Sequence, residues 1–229
     1  MKEYEIAHEL WNTASEGVQV EEITEEDFCL PKEMQPIFER FIKESKDILD
    51  FGCGCGEMLF AAAKEYQLTS GLGMDYGEKT MAFTTKLAKY LQCDDKLEFR
   101  AGGVEELKKL PSKSMGGIIV SNVFDIVPAE VAEEMMMELV RILKEGGYFL
   151  LKLNGSMEDC ESEKYRLTKI KDNLYERDGF LRLRNCSTSE WRRWFSSWFE
   201  ELDYTDVPYQ TPKDYDRLFL LKKKANIER

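Results

Sequence analysis

One segment constrains this chain more than any other: residues 46–57, which read KDILDFGCGCGE. Ile48–Phe51 is a short apolar run typical of a buried strand. The residues from 57 to 66 favour a helix, because they include three consecutive alanines. Between strand and helix lie three alternating glycines, Gly52, Gly54 and Gly56. A strand, a glycine turn and a helix N-terminus together predict a site where the backbone approaches a polar or anionic group of a ligand.

The spacing of these glycines narrows the class of ligand. The dinucleotide-binding fingerprint requires a glycine at the position that Glu57 occupies here. A glutamate would face a pyrophosphate with the wrong charge, so a ligand with an amino-acid end fits better. Asp75 ends the next apolar segment, about 20 residues after the turn, and in related nucleotide folds an acid at that distance binds the ribose hydroxyls.

Strand and helix patterns alternate from residue 47 to residue 153. We predict strands at about 47–51, 71–75, 97–101, 117–121 and 147–153. We predict helices at about 57–66, 78–92, 104–109 and 129–144, the last of them opened by Pro128 and closed by Gly146-Gly147. Alternation of this kind is typical of parallel βαβ units, so we expect an α/β fold with a doubly wound sheet.

A hairpin is predicted after this alternating region. The segments 173–177 and 180–184 alternate apolar and polar residues around Asp178-Gly179, which is a strong signal for a two-residue turn. If the register is regular, Arg182 and Arg184 share one face of the hairpin, opposite Leu181 and Leu183.

The C-terminal segment begins with a capping box, Ser187-Thr-Ser-Glu190, which opens a predicted helix. Apolar side chains recur on it at helical spacing, which more often indicates a core face than a substrate site: Trp191, Trp194, Phe195, Trp198 and Leu202. Two final strands are predicted at 204–207 and 217–221.

Three motifs in consistent order resemble those of the class I S-adenosylmethionine-dependent methyltransferases. They are ILDFGCGCG at 48–56, Gly73-Met-Asp75, and RILKEGG at 141–147. The resemblance covers about residues 36–153. It implies a single Rossmann-like sheet of seven mostly parallel strands with helices on both faces, whose last strand runs antiparallel beside the fifth.

We therefore expect one methyltransferase domain over residues 1–229. Within it, 1–45 is a helical lid with helices at 3–15 and 36–45, and 46–153 is the cofactor-binding core. An insertion at 154–186 carries the hairpin, and 187–229 holds the C-terminal helix and strands. The N-terminal segment and the insertion are the candidate covers of the site, because methyl transfer needs a dry site.

The resemblance implies S-adenosylmethionine as cofactor and assigns contacts to it. The glycine turn approaches the methionine portion through Gly52, Cys53, Gly54 and Gly56. Asp50, directly before the turn, is expected near the ammonium group. Asp75 is expected to accept two hydrogen bonds from the ribose hydroxyls. Tyr76 either flanks the adenine or belongs to a surface loop.

One family position is missing. Similar proteins usually have a Gly-Asp pair after the third strand, whose acid binds the adenine amino group, and this chain has Gly103 in place of that acid. The backbone amide of Val104 still serves the adenine ring, and Glu105 is the nearest acid that could reach in. If the pocket is otherwise normal, Gly103→Asp is expected to leave cofactor binding equal or tighter.

The segment after the fourth strand, SNVFDIVP at 121–128, lies beside the transferable methyl group by the same resemblance. Ser121 and Asn122 are further expected cofactor contacts. Asp125 is the candidate catalytic residue, since a carboxylate can steer a cationic amine or take a proton. The alternative is that Asp125 caps the helix after Pro128. The single histidine, His8, is more often a surface or packing residue than a base.

Composition limits the classes of partner that the protein is expected to bind. The net charge of −12 argues against a nucleic-acid groove or an anionic membrane surface. No apolar run is long enough to span a bilayer, and the chain starts without an apolar signal region. The six cysteines show no C-x-x-C pair, so neither a metal site nor a redox dithiol is predicted. We expect a cytoplasmic protein that is a monomer or homodimer.

These observations predict methyl transfer to a nitrogen or oxygen atom of a neutral or amine-bearing small molecule. Phosphorylated or carboxylated acceptors are disfavoured unless basic residues such as Arg182 and Arg184 turn inward. The alternative is a regulatory or interaction protein that binds S-adenosylmethionine without turnover.

Overall fold

The computed structural model describes residues 17–158, 161–208 and 214–225. The strands are β1 Ile48–Phe51, β2 Gly71–Asp75, β3 Leu97–Ala101, β4 Met115–Ser121, β5 Leu143–Asn154, β6 Thr168–Lys171, β7 Leu174–Arg177, β8 Phe180–Arg184, β9 Phe199–Pro208 and β10 Tyr215–Lys223. The α-helices are α1 Gln35–Glu44, α2 Glu57–Glu65, α3 Glu78–Tyr90, α4 Val104–Leu107, α5 Ala129–Ile142 and α6 Thr188–Phe195. None of these helices is both long and apolar enough to cross a membrane. The helix predicted at 3–15, with His8, lies outside the described residues.

Seven strands form one sheet in the order β3-β2-β1-β4-β5-β10-β9. Neighbours among β1 to β5 are parallel, as expected for strands joined by crossover helices. β10 is antiparallel to both β5 and β9. The predicted doubly wound sheet is therefore confirmed, including the last strand beside the fifth.

Helices cover both faces of this sheet. On one face α1, α2 and α3 pack around a cluster that includes Ile48 and Ile119. On the other face α4, α5 and α6 pack around a cluster that includes Leu49 and Ile118. The central strands are buried on both sides, which explains their continuous apolar runs. The parallel register brings the carboxyl ends of β1 to β4 to one edge.

The structure corrects the predicted boundary between α5 and β5. The helix ends at Ile142, and β5 begins at Leu143, four residues before its predicted start at 147. Leu143 already pairs with Met115 of β4, and the register then shifts before Gly117. Pairing with β4 thus begins ahead of the two glycines that were expected to separate helix from strand.

The structure also shortens the C-terminal helix. α6 ends at Phe195, and β9 begins at Phe199, which pairs with Lys223 of β10. This pairing satisfies the outer backbone of β10, which a longer helix would leave unpaired. Trp198 and Leu202 therefore lie outside α6, although Trp191 and Phe195 on the helix are buried core residues as predicted.

The predicted hairpin is present and belongs to a second, three-stranded sheet, β6-β7-β8. Asp178 and Gly179 join β7 to β8 with φ values of 56° and 81°, as a two-residue turn of this kind requires. Strand β6 was not predicted. The ladder shifts register so that Arg182 has no opposite residue, and Arg184 is buried. The regular alternation expected for these two arginines is therefore interrupted.

Candidate functional site

A cavity of about 260 Å³ opens at the carboxyl edge of the seven-stranded sheet. Its lining comes from the glycine turn after β1, from Asp75 and Tyr76 at the end of β2, from Gly102 after β3, and from residues 121–123, 126 and 127 at and after the end of β4. Ligands of open α/β sheets bind at this edge. The sequence-predicted turn therefore lies where the fold places a ligand.

Glycine is needed at two positions of the turn for different structural reasons. Gly52 has a φ of 79°, and a Cβ there would lie 2.3 Å from Cγ2 of Val123, so the turn touches the loop after β4. Gly54 has a φ of 52°, and a Cβ there would meet no atom within 4 Å. Because Gly54 lines the cavity, its bare backbone is open to a ligand. Gly56 precedes the first residue of α2 as its N-cap.

Asp75 braces this turn. Its Oδ2 accepts a hydrogen bond from the Gly54 amide at 3.0 Å, and its Oδ1 accepts one from the Gly77 amide at 3.1 Å. An ionised carboxylate has about four acceptor positions, so two remain for ligand hydroxyls. Asp75 therefore fixes the cavity wall and also presents acceptors to the cavity.

Asp50 is a buried acid in a negative environment. Its side chain is at most 2% exposed, and Oδ1 has no hydrogen-bond partner among the described residues. Burial, followed by the negative charges of Asp75 and Glu57, raises the pKa of Asp50 to about 8. A buried carboxyl group of this kind is stabilised in its charged form only when a cation is brought to it.

Cys53 faces the protein. Its amide donates to the carbonyl of Met74 at 3.2 Å, and its Sγ lies 3.9 Å from Sδ of Met81. Burial also raises the pKa of its thiol well above the usual value. Cys53 is not among the residues that line the cavity, and its amide and thiol hold the turn against β2 and α3. Its contact with the cofactor stays a prediction.

Ser121 and Asn122 line the cavity opposite Asp75. The Ser121 hydroxyl donates to Oδ1 of Asn122 at 3.2 Å, and the Asn122 amide donates to the carbonyl of Lys152 at 2.8 Å. Asn122 has a φ of 52°, a left-handed conformation that asparagine tolerates better than most residues. The structure thus brings both predicted contacts to the site.

Gly103 and Val104 are buried behind the cavity lining. A Cβ at Gly103 would lie 2.0 Å from Cζ and 2.2 Å from the hydroxyl oxygen of Tyr76. An aspartate at this position would therefore require the tyrosine ring to move. The condition under which Gly103→Asp was expected to leave binding unchanged, an otherwise normal pocket, is not met for that steric reason.

Asp125 is fully buried and bonded to β5. Its Oδ2 accepts hydrogen bonds from the Asn154 amide at 2.6 Å and from Nδ2 of Asn154 at 2.7 Å. Burial raises the pKa of Asp125, while these bonds lower it by a smaller amount. The cavity is lined by Val123 and Ile126 of the same loop. The direct catalytic role expected of Asp125 is therefore corrected to positioning.

The capping alternative for Asp125 is also wrong. The N-cap position of α5 is Pro128, with no side-chain cap hydrogen bond. Asp125 instead lies in the short 3₁₀ turn Phe124–Ile126. Its two bonds to Asn154 fasten this turn to the carboxyl end of β5.

Arg184 is a buried residue of the site that sequence reasoning placed elsewhere. Its Nη2 donates to the carbonyl of Phe124 at 2.9 Å, and its guanidinium lies 4.5 Å from the ring centre of Trp191. Burial lowers the pKa of Arg184, and the charge of Asp125 partly offsets that effect. Through this arginine the hairpin holds the loop that lines the cavity.

Arg217 ties the same region together from β10. Its Nε donates to the carbonyl of Asn154 at 3.0 Å, and its Nη1 donates to the carbonyl of Cys186 at 2.9 Å. Burial lowers the pKa of Arg217 as well, and Asp125 is the largest opposing charge. An arginine at the start of an otherwise apolar strand was the available signal for this buried role.

The core of the chain matches a known family. Residues 48–147 match the family described as "Methyltransferase domain". Together with the sheet order and the glycine turn, this match decides the class. This part of the chain is similar to methyltransferase domains of class I. Such domains use S-adenosylmethionine as cofactor.

One curated relative and two solved structures give the range of similar proteins. The rRNA N(6)-adenosine-methyltransferase metl-5 of Caenorhabditis elegans is 28% identical over 88 residues, which cover 36% of this chain and 41% of that relative. A SAM-dependent methyltransferase of Methanosarcina mazei superposes with a TM-score of 0.70 at 20% identity, over 83% of this chain and 98% of that one.

The second structure is the 1,6-didemethyltoxoflavin-N1-methyltransferase of Burkholderia thailandensis, bound to its 1,6-didemethyltoxoflavin and S-adenosylhomocysteine. It superposes with a TM-score of 0.70 at 14% identity, over 98% of this chain and 92% of that one. At this identity the likeness concerns the fold. This likeness in fold covers nearly the whole chain and is not confined to residues 48–147.

The described residues of the site fit S-adenosylmethionine. Asp50 offers a buried carboxyl oxygen without a partner, which suits the ammonium group. Asp75 offers acceptors for the ribose hydroxyls beside the backbone of Gly54, which is open to the methionine portion. The domain therefore has a counterpart for each polar part of the cofactor except the adenine, to which we return below.

Proposed function

We propose that this protein transfers a methyl group from S-adenosylmethionine to a nitrogen or oxygen atom of a small molecule, in the cytoplasm. The observation that carries the proposal is the unpartnered carboxyl oxygen of Asp50, buried beside a cavity whose wall is the Asp75-braced turn. When bound, S-adenosylmethionine supplies a methyl group on a sulfonium sulfur, which an in-line nucleophile can take.

The chain contributes binding and alignment. Asp50 neutralises the ammonium group, and Asp75 accepts the ribose hydroxyls while keeping Gly54 in place. Val123 and Ile126 give the acceptor side an apolar wall that excludes water. Displacement at a methyl group depends on alignment and a dry site more than on acid–base groups. A buried Asp125 that only positions the loop is consistent with this requirement.

The charge of the protein supports a small acceptor. The net charge of −12 disfavours large polyanions. The structural neighbour that methylates N1 of 1,6-didemethyltoxoflavin, a small molecule by its name, supports the same class of acceptor.

A second candidate function is methylation of an adenosine in RNA. The curated relative from Caenorhabditis elegans is an rRNA adenosine methyltransferase, although the alignment spans less than half of it. The segment 161–186 has seven Lys and Arg against five Asp and Glu in an otherwise acidic chain. This local excess of positive charge is the observation that favours RNA.

Transfer of label from tritiated S-adenosylmethionine tests the proposal. Purified protein is incubated with a small-molecule extract and, separately, with total RNA, and the products are separated by size. We expect label in small-molecule products. Label in RNA would establish the second candidate instead, and cofactor binding without label in either pool would establish the non-catalytic alternative. Asp75→Ala is the inactive control, and Asp95→Ala, an exposed acid before β3, is its matched counterpart.

A further inference from the structure

Tyr76 and Gly103 form a steric pair at the cavity. The closest approach is between the position of a Cβ on Gly103 and Cζ of Tyr76, at 2.0 Å. The φ of Gly103, −124°, lies outside the left-handed region that favours glycine. The Tyr76 ring, which occupies the space of a side chain at this position, is therefore a reason for glycine here.

The hydroxyl of Tyr76 is as far from the Cβ position of residue 103 as a side-chain oxygen of that residue would be. It lies 2.2 Å from the position of a Cβ on Gly103. A carboxylate oxygen of an aspartate lies about 2.4 Å from its own Cβ, given ordinary bond lengths of about 1.5 and 1.2 Å. The tyrosine thus brings an oxygen from β2 to the place that an acid after β3 would otherwise supply.

The position of Asp75 indicates what this oxygen meets. The ribose hydroxyls belong at Asp75, and the base must then extend along the cavity to its neighbours. Tyr76 is the next residue and lines the same cavity, together with Gly102 after β3. The amino edge of the adenine base should therefore lie near Tyr76, where the tyrosine ring covers Gly103.

We infer that the Tyr76 hydroxyl forms a hydrogen bond with the amino group of the adenine. It takes the place of the acid that is missing at Gly103. The inference rests on S-adenosylmethionine being the cofactor. It has a chemical consequence, because an ionised carboxylate only accepts hydrogen bonds, whereas a phenol both donates and accepts. A carboxylate selects an amino group and repels a carbonyl oxygen. The tyrosine accommodates either one.

Calorimetric titration with two ligands tests this reading. The ligands are S-adenosylhomocysteine and S-inosylhomocysteine, which has a carbonyl oxygen in place of the amino group. Inosine also carries a proton on N1, and this difference is the same for every variant, so the affinity ratio of the two ligands is compared between variants. We expect a smaller ratio in wild type, where a phenol faces the 6-position, than in a protein with a carboxylate there. Tyr76→Phe keeps the ring and should weaken both by roughly threefold to tenfold. Tyr90→Phe, an exposed tyrosine on α3, is the matched control and should change neither.

The double variant Gly103→Asp/Tyr76→Ala provides the second arm. Removing the ring makes room for the acid, so this variant should prefer the adenine ligand over the inosine ligand by a larger factor than wild type. Gly103→Asp alone should weaken both ligands, because the ring blocks the new side chain. Melting curves establish that each variant is folded.

The outcomes separate this inference from the cofactor assignment. If wild-type protein binds neither ligand, the cofactor assignment falls and this inference falls with it. If wild type binds S-adenosylhomocysteine but Tyr76→Phe binds both ligands as tightly, only the role of Tyr76 is overturned. If the ratio of the two affinities is the same in wild type and in Gly103→Asp/Tyr76→Ala, the phenol is likewise not the reading group.

Discussion

Two buried carboxyl groups lie at the same edge of the sheet, and they differ in what surrounds them. Asp50 has an oxygen without a partner and negative neighbours, Asp75 and Glu57. Asp125 also has one oxygen without a partner among the described residues, but its other oxygen accepts two hydrogen bonds from Asn154, and its charge acts on two buried arginines. Burial is the same in both, so burial alone does not identify a ligand-binding acid. The missing counter-charge does.

The comparison divides the site into a binding half, around Asp50 and Asp75, and a scaffold half, around Asp125. Around Asp50 the protein leaves a charge to be balanced by a ligand. Around Asp125 it supplies two hydrogen bonds from Asn154, and the charge of Asp125 acts on the buried Arg184 of the hairpin and Arg217 of β10. Substitutions on the two sides should therefore have opposite signatures, and the predictions below follow from the largest effect to the smallest.

Asp125→Ala should reduce the free energy of unfolding by about 3–5 kcal/mol. It removes the acceptor of two Asn154 bonds and leaves two buried arginines without their opposing charge, and breaking a buried charge arrangement costs that much. Urea denaturation measures the loss. Asp95→Ala is the exposed control and should change stability by less than about 0.5 kcal/mol. A loss below about 1 kcal/mol for Asp125→Ala would show that this acid is not part of the scaffold.

Asp75→Ala should weaken S-adenosylhomocysteine binding by about 2–4 kcal/mol, or roughly 30- to 1,000-fold in Kd. The substitution removes the ribose acceptors and also the carboxylate that holds the Gly54 amide. Titration calorimetry measures the change. Asp75→Asn keeps an acceptor oxygen for one amide and should lose less. Wild-type affinity in both variants would remove Asp75 from the site.

Asp50→Asn should weaken the same ligand by about 1.5–3 kcal/mol, because a charge-assisted bond to the ammonium group is lost. Its stability should stay within about 1 kcal/mol of wild type, since the carboxyl oxygen it replaces has no protein partner. Calorimetry and urea denaturation together give both numbers. A large loss of stability with unchanged affinity would reverse the contrast with Asp125.

Most of the binding half could be predicted from the sequence. The glycine turn and Asp75 are local features: a strand end, a turn and an acid at a known spacing determine where they lie. Their positions follow from alternating strands and helices, whose carboxyl ends must meet at one edge. Asp50 was predicted for the same reason, although its burial was not.

The scaffold half depends on contacts between distant segments. Arg184 reaches Phe124 across 60 positions of sequence, and Arg217 reaches Asn154 across 63. The local sequence around either arginine does not predict such a contact. The role of Asp125 was therefore interpreted from its neighbours in sequence alone. The same limit explains why the steric contact at Gly103 was not predicted, since its partner Tyr76 follows another strand. It also explains the error at the end of α6, which depends on pairing between β9 and β10.

Asp50 also gives a pH dependence with a definite sign. Its pKa of about 8 in the folded protein is above the ordinary value of 3.8. The folded state therefore keeps a proton that the unfolded chain has lost between these values. The contribution of Asp50 to stability falls as pH rises through this window and is constant above it. Binding of an ammonium group must expel that proton.

Proton release on ligand binding is the most direct test of this account. S-adenosylhomocysteine is titrated at pH 6.5 in buffers of different ionisation enthalpy, with wild-type protein and with Asp50→Asn. We predict that wild type releases about one proton per ligand, that the release declines as pH rises past 8, and that Asp50→Asn releases none. Binding by wild type without proton release at pH 6.5, or equal release by the variant, would contradict the assignment of Asp50 as the counter-charge of the cofactor.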